Sequence, residues 1–273
     1  MEPDLLKSEK GAVLEVVMNR PAKYNAMNRA IANGINDAVA EFRDRNDLRV
    51  LLIRANGKYF SAGADLTDLT RQDSHGSSSV ERNWYRQGPT SFHPMFDEME
   101  AIEKPIVVAH QGPCFGGAFE MSVSCDFRFG AASATYRMPE IDIGCLPGSG
   151  GTSRLTRLIG PHWARWFVLA GETATAQQAL SMGLLHDVYP DDEFEERVRK
   201  FCDKLASLPP EAVALSKLTI ELTADLDRQQ ARNVERLSNS ILFLGDEHKN
   251  LIAAMIERLS RKKNRPPTEG TTT

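Results

Sequence analysis

The sequence predicts an α/β fold whose C-terminal part is helical. Three apolar runs have the length of buried strands and end in turn residues. They are Ala12–Met18, Val50–Arg54 and Ile106–His110. Between the first two runs, apolar residues recur at helical spacing and mark one face of a helix. They are Met27, Ile31, Ile35, Ala38 and Phe42. Strand-like runs that alternate with helices indicate repeated β/α units.

Two further runs, Asp126–Ala131 and Thr135–Met138, predict that the sheet continues. Beyond Pro161 the pattern is helical, first in His162–Ala170 and Ala176–Met182. Three later faces recur at the same spacing, and we expect internal core there in preference to subunit contacts. They are Phe194, Val198, Phe201 and Leu205; Val234, Leu237, Ile241 and Leu244; and Leu251, Met255 and Leu259.

One main core is expected, because 273 residues with 41% apolar composition suffice for one sizeable core. We divide the chain into a core domain at residues 1–190, a helical region at 191–260 and a tail at 261–273. The tail is polar, which predicts disorder. The segment Gln72–Pro94 has neither a strand nor a clean helix pattern, and it is either a surface loop or a lid over a substrate.

Composition argues against several classes of protein. The 33 Lys and Arg residues against 37 Asp and Glu residues leave a net charge of −4, which is atypical of a broad nucleic-acid-binding surface. The four cysteines form no CxxC pair and the six histidines no HExxH pair, so neither a disulfide framework nor a metal site is expected. No apolar stretch reaches the ~20 residues of a membrane helix. The acidic N-terminus does not resemble a transit peptide, and a cytoplasmic location is expected.

Two glycine-bearing turns each follow a strand-like run. They are Ser61–Asp65 and Gly112–Glu120. Small residues let the backbone approach a ligand closely and leave N–H groups free to point at it. One amide from each turn would form an oxyanion hole, which stabilises negative charge as it develops on a carbonyl oxygen. Taken alone, the first turn is equally explained by a helix start with Asp65 near its N-terminus.

Glu120 and Glu140 are the candidate acid and base. Each by itself is more simply explained as an acid at the start of a helix or segment, where negative charge is favourable. Two carboxylates that converge on one site behave differently, because they titrate as a coupled pair and can share a proton near neutrality. One can then act as an acid and the other as a base.

A third glycine cluster spans Gly144–Thr152. It matches neither the GxxxxGK[ST] nor the GxGxxG pattern of phosphate-binding loops, and it lacks the GxSxG turn of a nucleophilic serine. Ser149 is therefore interpreted as a turn residue.

Read together, these segments resemble the enoyl-CoA hydratase/isomerase family, the crotonase superfamily. Five matching segments occur in the family's order and span nearly the whole chain. They are NRPAKYNAMN (Asn19–Asn28), FSAGADL (Phe60–Leu66), GPCFGGAFEMSVSCDFRF (Gly112–Phe129), MPEIDIGCLPGSGGTSRL (Met138–Leu155) and AGETATAQQALSMGLLHDV (Ala170–Val188).

The resemblance implies a crotonase-like spiral of ββα repeats with a C-terminal helical trimerisation region, assembled as a homotrimer or a dimer of trimers. It places the oxyanion amides on Ala64 and Gly117, and the two hydratase glutamates on Glu120 and Glu140. It assigns binding of coenzyme A and substrate to Lys23, Ala62, Asp65, Leu66, Gly116 and Gly148. Lys23 is equally explained as a solvated turn lysine. The implied partner is an acyl-CoA substrate, in which coenzyme A is the acyl carrier, and no other cofactor is needed.

The function implied by the resemblance is enoyl-CoA hydration. Gly148 stands where dienoyl isomerases of the family carry an acid, which favours hydration over isomerisation. The alternatives are an enoyl-CoA isomerase, an aromatic enoyl-CoA hydratase-lyase, and a non-catalytic scaffold or RNA-binding homologue. The two glutamates weigh against a scaffold, and the lack of a lysine-rich helix weighs against RNA binding.

Two departures from the family pattern carry expectations of their own. The chain between Asp65 and Glu120 is longer than in short-chain hydratases, and the extra length falls in Gln72–Pro94. We therefore expect an enlarged or aromatic-lined acyl pocket. The run His248–Arg258 departs from the C-terminal pattern that contacts coenzyme A in many members, so no contact is assigned there.

Overall fold

The computed structural model describes residues 2–69, 77–88 and 91–263 of the chain. The chain divides into two compact units, one ending at Leu208 and the other beginning at Pro209. The strands are β1 (Leu5–Lys10), β2 (Val13–Met18), β3 (Val50–Ala55), β4 (Ile106–His110), β5 (Cys114–Phe115), β6 (Phe127–Ala131), β7 (Thr135–Arg137), β8 (Ala174–Thr175) and β9 (Asp187–Tyr189).

The helices of the first unit are α1 (Arg29–Asp44), α2 (Leu66–Leu69), α3 (Ser78–Gln87), α4 (Phe92–Ala101), α5 (Gly117–Ser122), α6 (Gly151–Val168), α7 (Ala176–Ser181) and α8 (Phe194–Ala206). Short 3₁₀ helices span Pro21–Lys23 and Pro139–Ile143. The second unit contains α9 (Pro210–Thr223), α10 (Arg228–Leu244) and α11 (Asp246–Lys263).

Within the described residues, the main sheet has the strand order β1-β2-β3-β4-β6-β9. The β1 and β2 strands pair antiparallel, and the remaining neighbours pair parallel. A small second sheet has the order β5-β7-β8. The predicted strand Thr135–Met138 thus forms, but it does not extend the main sheet. Strand-like patterning does not specify a pairing partner.

Both faces of the main sheet are covered, as parallel sheets require. The α1 helix begins after Asn28, whose side chain accepts the N–H of Ile31, and it buries the predicted face. That face lies in the larger core cluster with alternate residues of β2, among them Leu14 and Val16. The opposite face of the sheet packs against α8 through Phe194, Val198, Cys202 and Leu205. These contacts explain why α8 belongs to the first unit, whereas helical patterning from residue 191 onward suggested a separate region.

The expectation of internal core at the later helical faces is confirmed for α8 but wrong for α10 and α11. Leu237 on α10 is 67% exposed, and Met255 on α11 is 51% exposed. The same holds for Ile241, Leu244, Leu251 and Leu259. Helical periodicity shows that a face is apolar, but it does not tell whether the chain itself covers that face. The α11 helix runs to Lys263, and the rest of the predicted tail lies outside the described residues.

The segment Gln72–Pro94 is largely helical where it is described, which corrects its interpretation as a continuous loop. The α3 helix spans its middle, and α4 begins at Phe92 after a cap in which the Ser91 hydroxyl accepts the N–H of His93. Residues 72–76 and 89–90 lie outside the described residues. The α3 helix has no buried residue, although its Val80 and Trp84 are four positions apart and therefore share one face of the helix.

Candidate active site

A cavity of about 320 Å³ lies in the first unit, where the two predicted glycine turns meet. Its walls come from the start of α1, the turn before α2, helix α3, the first residue of α4, the start of α5, and the segment from Pro139 to Ser149. Most of the candidate residues line it. They are Ala62, Ala64, Asp65, Leu66, Gly116, Gly117, Glu120, Glu140 and Gly148.

Glu120 lies in the first turn of α5 and is 5% exposed. Its Oε2 accepts two backbone hydrogen bonds, from the N–H of Ser149 at 2.7 Å and from the N–H of Gly151 at 3.0 Å. Burial, followed by the charge of Glu140, raises the pKa of Glu120 to about 7, although the two amide donors and the charge of Arg154 lower it. Glu120 therefore exchanges a proton near neutral pH.

Glu140 lies in the 3₁₀ helix that follows β7 and faces the same cavity. Burial raises the pKa of Glu140 as well. Among the described residues, no group hydrogen-bonds to its buried Oε2. Gly116 passes beside it with φ of 54°, and a methyl group there would lie 3.0 Å from Glu140 Oε1. A side chain at position 116 would therefore displace this carboxyl group.

The Ala64 and Gly117 amides are close neighbours in the cavity wall. A methyl group on Gly117 would lie 3.6 Å from the Ala64 nitrogen, and one on Gly63 would lie 3.3 Å from the Gly117 nitrogen. Hydrogen bonds between Met27 and its partners Gly63 and Asp65 hold the chain on both sides of Ala64. Neither Ala64 nor Gly117 donates its N–H to an acceptor within the described ranges. Two amide donors thus remain available side by side.

Two of the predicted binding residues, Asp65 and Lys23, differ from the others in their surroundings. Asp65 caps α2 by accepting the N–H of Thr67, and its Oδ2 pairs with Arg20 at 2.6 Å. The hydrogen bond from Arg20 lowers the pKa of Asp65 to about 2, so this carboxylate stays charged. Lys23 ends the 3₁₀ helix Pro21–Lys23, is exposed, and does not line the cavity. Its role in coenzyme A binding stays a prediction.

Sequence reasoning missed the groups that hold Glu120. The Ser149 and Gly151 amides come from the third glycine cluster, which appeared to be a plain turn. The glycine cluster could have been recognised as an anion-binding turn. It precedes a long helix, and the free N–H groups at a helix N-terminus bind anions. The partner of those amides lies far away in the sequence, however, and no local pattern reveals it.

Three aromatic side chains form part of the cavity wall. Trp84, Tyr85 and Phe92 line the cavity. A methyl group on Gly148 would lie 3.4 Å from the Tyr85 ring, and one on Gly117 would lie 3.6 Å from the Phe92 ring. The Trp84 and Tyr85 rings meet edge to face, with centroids 5.2 Å apart. Aromatic residues of the segment Gln72–Pro94 thus line the cavity, and their contact with an acyl group stays a prediction.

Within residues 2–69, 77–88 and 91–263, no group of three or more His, Cys, Asp or Glu side chains is arranged to hold a metal ion. None of the helices described is both long enough and apolar enough to cross a membrane.

A family model for enoyl-CoA hydratase/isomerase matches residues 8–263. This chain belongs to that family. It is 33% identical to a crotonyl-CoA hydratase of Syntrophomonas wolfei, in an alignment that covers 95% of this chain and 96% of the relative. It is 29% identical to a 2,3-dehydroadipyl-CoA hydratase of Escherichia coli, over 93% and 96% of the two chains.

The fold agrees with this assignment. The structure of an enoyl-CoA hydratase from Bacillus anthracis superposes with a TM-score of 0.84 at 26% identity, covering 93% of this chain and 96% of the other. The predicted family and its crotonase fold are confirmed. The protein is an enoyl-CoA hydratase-like enzyme, a hydro-lyase of the crotonase superfamily.

Proposed function

We propose that the protein adds water across the double bond of a 2-enoyl-CoA thioester, with Glu120 and Glu140 as the acid–base pair. One observation carries this proposal: two carboxyl groups with raised pKa values line one cavity, beside two backbone amides without an acceptor among the described residues. Hydration needs a base for water, an acid for Cα and a stabiliser for the thioester oxygen. The cavity supplies all three.

The amides act on the carbonyl group. In the proposed complex, the N–H groups of Ala64 and Gly117 donate to the thioester oxygen, which gains negative charge as water attacks Cβ. Removing one such donor typically costs about 3 kcal/mol of transition-state stabilisation. Both donors are backbone groups held by neighbouring hydrogen bonds, so they need little reorganisation during the reaction.

The protons balance as follows in the proposed reaction. Glu120 takes a proton from water while the water oxygen bonds to Cβ, and the π electrons move through Cα onto the thioester oxygen. Glu140 then gives its proton to Cα as the carbonyl group re-forms, which yields a 3-hydroxyacyl-CoA. Glu120 ends protonated and Glu140 ionised, and the proton returns between the two carboxyl groups before the next cycle.

The hydrogen bonds at the two carboxyl groups support this assignment of roles, whereas burial and the charge of Glu140 raise the pKa of Glu120 to about 7 and favour its neutral form. Glu120 receives two N–H donors, which favour its ionised form. Glu140 Oε2 has no donor in the part of the chain that the structure describes, which favours the neutral form. Repulsion between two buried negative charges keeps one proton on the pair near neutrality. The arrangement Glu120 ionised and Glu140 protonated is the one that hydration needs.

We also propose that the acyl group is larger than crotonyl. Trp84, Tyr85 and Phe92 add apolar surface to the cavity wall, and burial of such surface by a longer acyl chain would favour binding. The relatives named above act on crotonyl-CoA and on 2,3-dehydroadipyl-CoA, so the family accommodates acyl groups of different size. A survey of 2-enoyl-CoA substrates tests this point. If crotonyl-CoA has the highest kcat/KM, the larger acyl group is excluded.

Product analysis with two variants tests hydration itself. We expect Glu120→Gln and Glu140→Gln each to abolish formation of 3-hydroxyacyl-CoA while acyl-CoA binding remains nearly intact, because Gln keeps the shape and removes the proton exchange. The product of the wild type gains the mass of one water. A product of unchanged mass with a shifted double bond would establish isomerisation instead, and full activity in either variant would refute the two-glutamate mechanism.

Assembly as a homotrimer or a dimer of trimers stays a prediction from the family resemblance. It would cover the exposed apolar faces of α10 and α11, which carry Leu237, Ile241 and Met255 among others. Sedimentation or mass photometry of the purified protein measures the subunit number directly.

A further inference from the structure

A buried arginine lies directly behind the turn that binds Glu120. Arg154 stands in the first turns of α6 and is 9% exposed. Its Nη1 donates to the carbonyl oxygen of Ser149 at 3.1 Å. The same Ser149 donates its N–H to Glu120 Oε2 at 2.7 Å. A single residue therefore joins the guanidinium group to the candidate base.

The other side of Arg154 is anchored on α4. Its Nη2 pairs with Asp97 and, at 2.7 Å, with Glu100. These two acids are three positions apart and thus share one face of the helix. His93, on the same helix, lies 3.1 Å from the carbonyl oxygen of Gly148 through its Nε2. The α4 helix thus reaches the turn at two points, one of them through Arg154.

Gly150 makes room for the guanidinium group. Its φ is 91°, and a methyl group at this position would lie 1.9 Å from Arg154 Nη1. The guanidinium group therefore packs directly against the backbone of the turn at Gly150. A side chain at position 150 could not be accommodated without moving Arg154.

We propose that Arg154 is the positioning residue for Glu120: by bridging Ser149 and the acids of α4, it holds the turn whose amides orient the candidate base. This inference rests on the proposed hydration. Arg154 does not line the cavity, so it acts through the turn and not on the substrate.

The electrostatic surroundings add a second consequence. Glu120 is influenced by Glu140, by Arg154, and by Tyr85 and Cys145, which lie close enough to interact with its charge. The positive charge of Arg154 favours the ionised form of Glu120. The same guanidinium group neutralises the charges of Asp97 and Glu100, with which it forms ion pairs. Without Arg154 these two acids would be unpaired, and the pair of glutamates would hold its protons more tightly.

The test compares Arg154→Met with Arg154→Lys in the full-length enzyme. We expect Arg154→Met to lower kcat on the order of 10- to 100-fold with little change in KM, since the loss affects orientation and not binding. Its profile of kcat/KM against pH should move to higher pH. Arg154→Lys keeps the charge but cannot form both contacts of the guanidinium fork, so kcat should fall while the profile stays in place.

Arg199→Lys is the control for an ion-paired arginine that is partly buried and lies away from the site. Arg199 pairs with Glu15 and Glu195 outside the cavity, so its variant should change stability and leave the pH profile unchanged.

If Arg154→Met does not fold, Gly150→Ala replaces it, because the methyl group displaces Arg154. Gly183→Ala is its control, since Gly183 has a similar φ of 82° but nothing within 4 Å of the added methyl group.

The outcomes separate this inference from the proposed function. A lower kcat with a shifted pH profile in Arg154→Met, and a lower kcat in Gly150→Ala but not in Gly183→Ala, support positioning by Arg154. A pH profile and kcat like those of the wild type in folded Arg154→Met overturn it, even when Glu120→Gln is inactive. Full activity in Glu120→Gln overturns the proposed function instead.

Discussion

Two buried glutamates of the first unit have opposite electrostatic surroundings. Glu15 on β2 is 2% exposed and Glu120 on α5 is 5% exposed. Burial by itself raises the pKa of both carboxyl groups. For Glu15, hydrogen bonds from Arg54 and Arg199 outweigh burial, and its pKa is lowered. Glu120 has no direct cation partner among the described residues, and its pKa rises to about 7.

The difference shows that partners, and not burial alone, distinguish a structural acid from a candidate catalytic one. Glu15 stays ionised because Arg54 and Arg199 satisfy its charge, and it connects the sheet to α8. Glu120 is held only by neutral amides and faces another acid across a cavity. A buried acid without an ion-pair partner lowers the free energy of unfolding. Acids that are kept in spite of this cost are typical of functional sites.

The largest expected contrast is in turnover. Glu120→Gln should lower kcat for 2-enoyl-CoA hydration by ~10²- to 10⁴-fold, the usual range for loss of an acid–base group. Glu15→Gln should leave kcat close to the wild-type value, because Glu15 does not line the cavity. Steady-state kinetics on both variants measure the contrast. Equal losses in the two variants would remove the distinction between them.

For the free energy of unfolding, we expect the larger effect from Glu15→Gln and the smaller one from Glu120→Gln. Glu15→Gln removes the carboxylate that pairs with Arg54 and leaves Arg199 with the exposed Glu195 alone, and we expect it to lower the free energy of unfolding by about 3 kcal/mol. Glu120→Gln removes an acid that is buried at a cost, so it should not destabilise the protein at neutral pH. Denaturant unfolding of the two variants gives both values, and a stable Glu15→Gln would show that the ion pairs contribute little.

The pH dependence of stability sharpens the comparison. The folded state holds the proton of Glu120 more tightly than the unfolded chain does, so wild-type stability falls as pH rises from about 4.5 to about 7. Glu120→Gln lacks this loss and should gain about 3 kcal/mol relative to the wild type above that window. Unfolding curves across the pH range measure the gain, and a constant difference between the two proteins contradicts the raised pKa.

The smallest effect concerns the third cation near Glu15. Lys10 approaches Glu15 Oε2 at 3.8 Å, but its side chain is 58% exposed. Lys10→Met should change the free energy of unfolding by less than about 1 kcal/mol, because exposed pairs are screened by water. Denaturant unfolding checks this value. A larger loss would mean that the surface contact, and not the buried arginines, stabilises Glu15.

The strands and the first helix were predictable because burial imposes a local period. The apolar runs Ala12–Met18 and Ile106–His110 became β2 and β4, and the face that includes Ile31 and Phe42 is buried. Local patterns did not predict the structure correctly where the chain itself does not bury the helix. The α3 helix buries none of its residues, and the apolar face of α10 is exposed in the single chain.

The sequence by itself determined the family, the main strands, the two glycine turns and the identity of the two glutamates, because these are matters of composition, order and local period. Only the tertiary structure decided what those residues contact. The Gly151 amide that holds Glu120 is 31 positions away in the chain, and Asp97 is 57 positions from Arg154. Contacts of this range form when elements pack, and the packing sets the burial and charge that change a pKa. A glutamate near a helix start thereby becomes a candidate base.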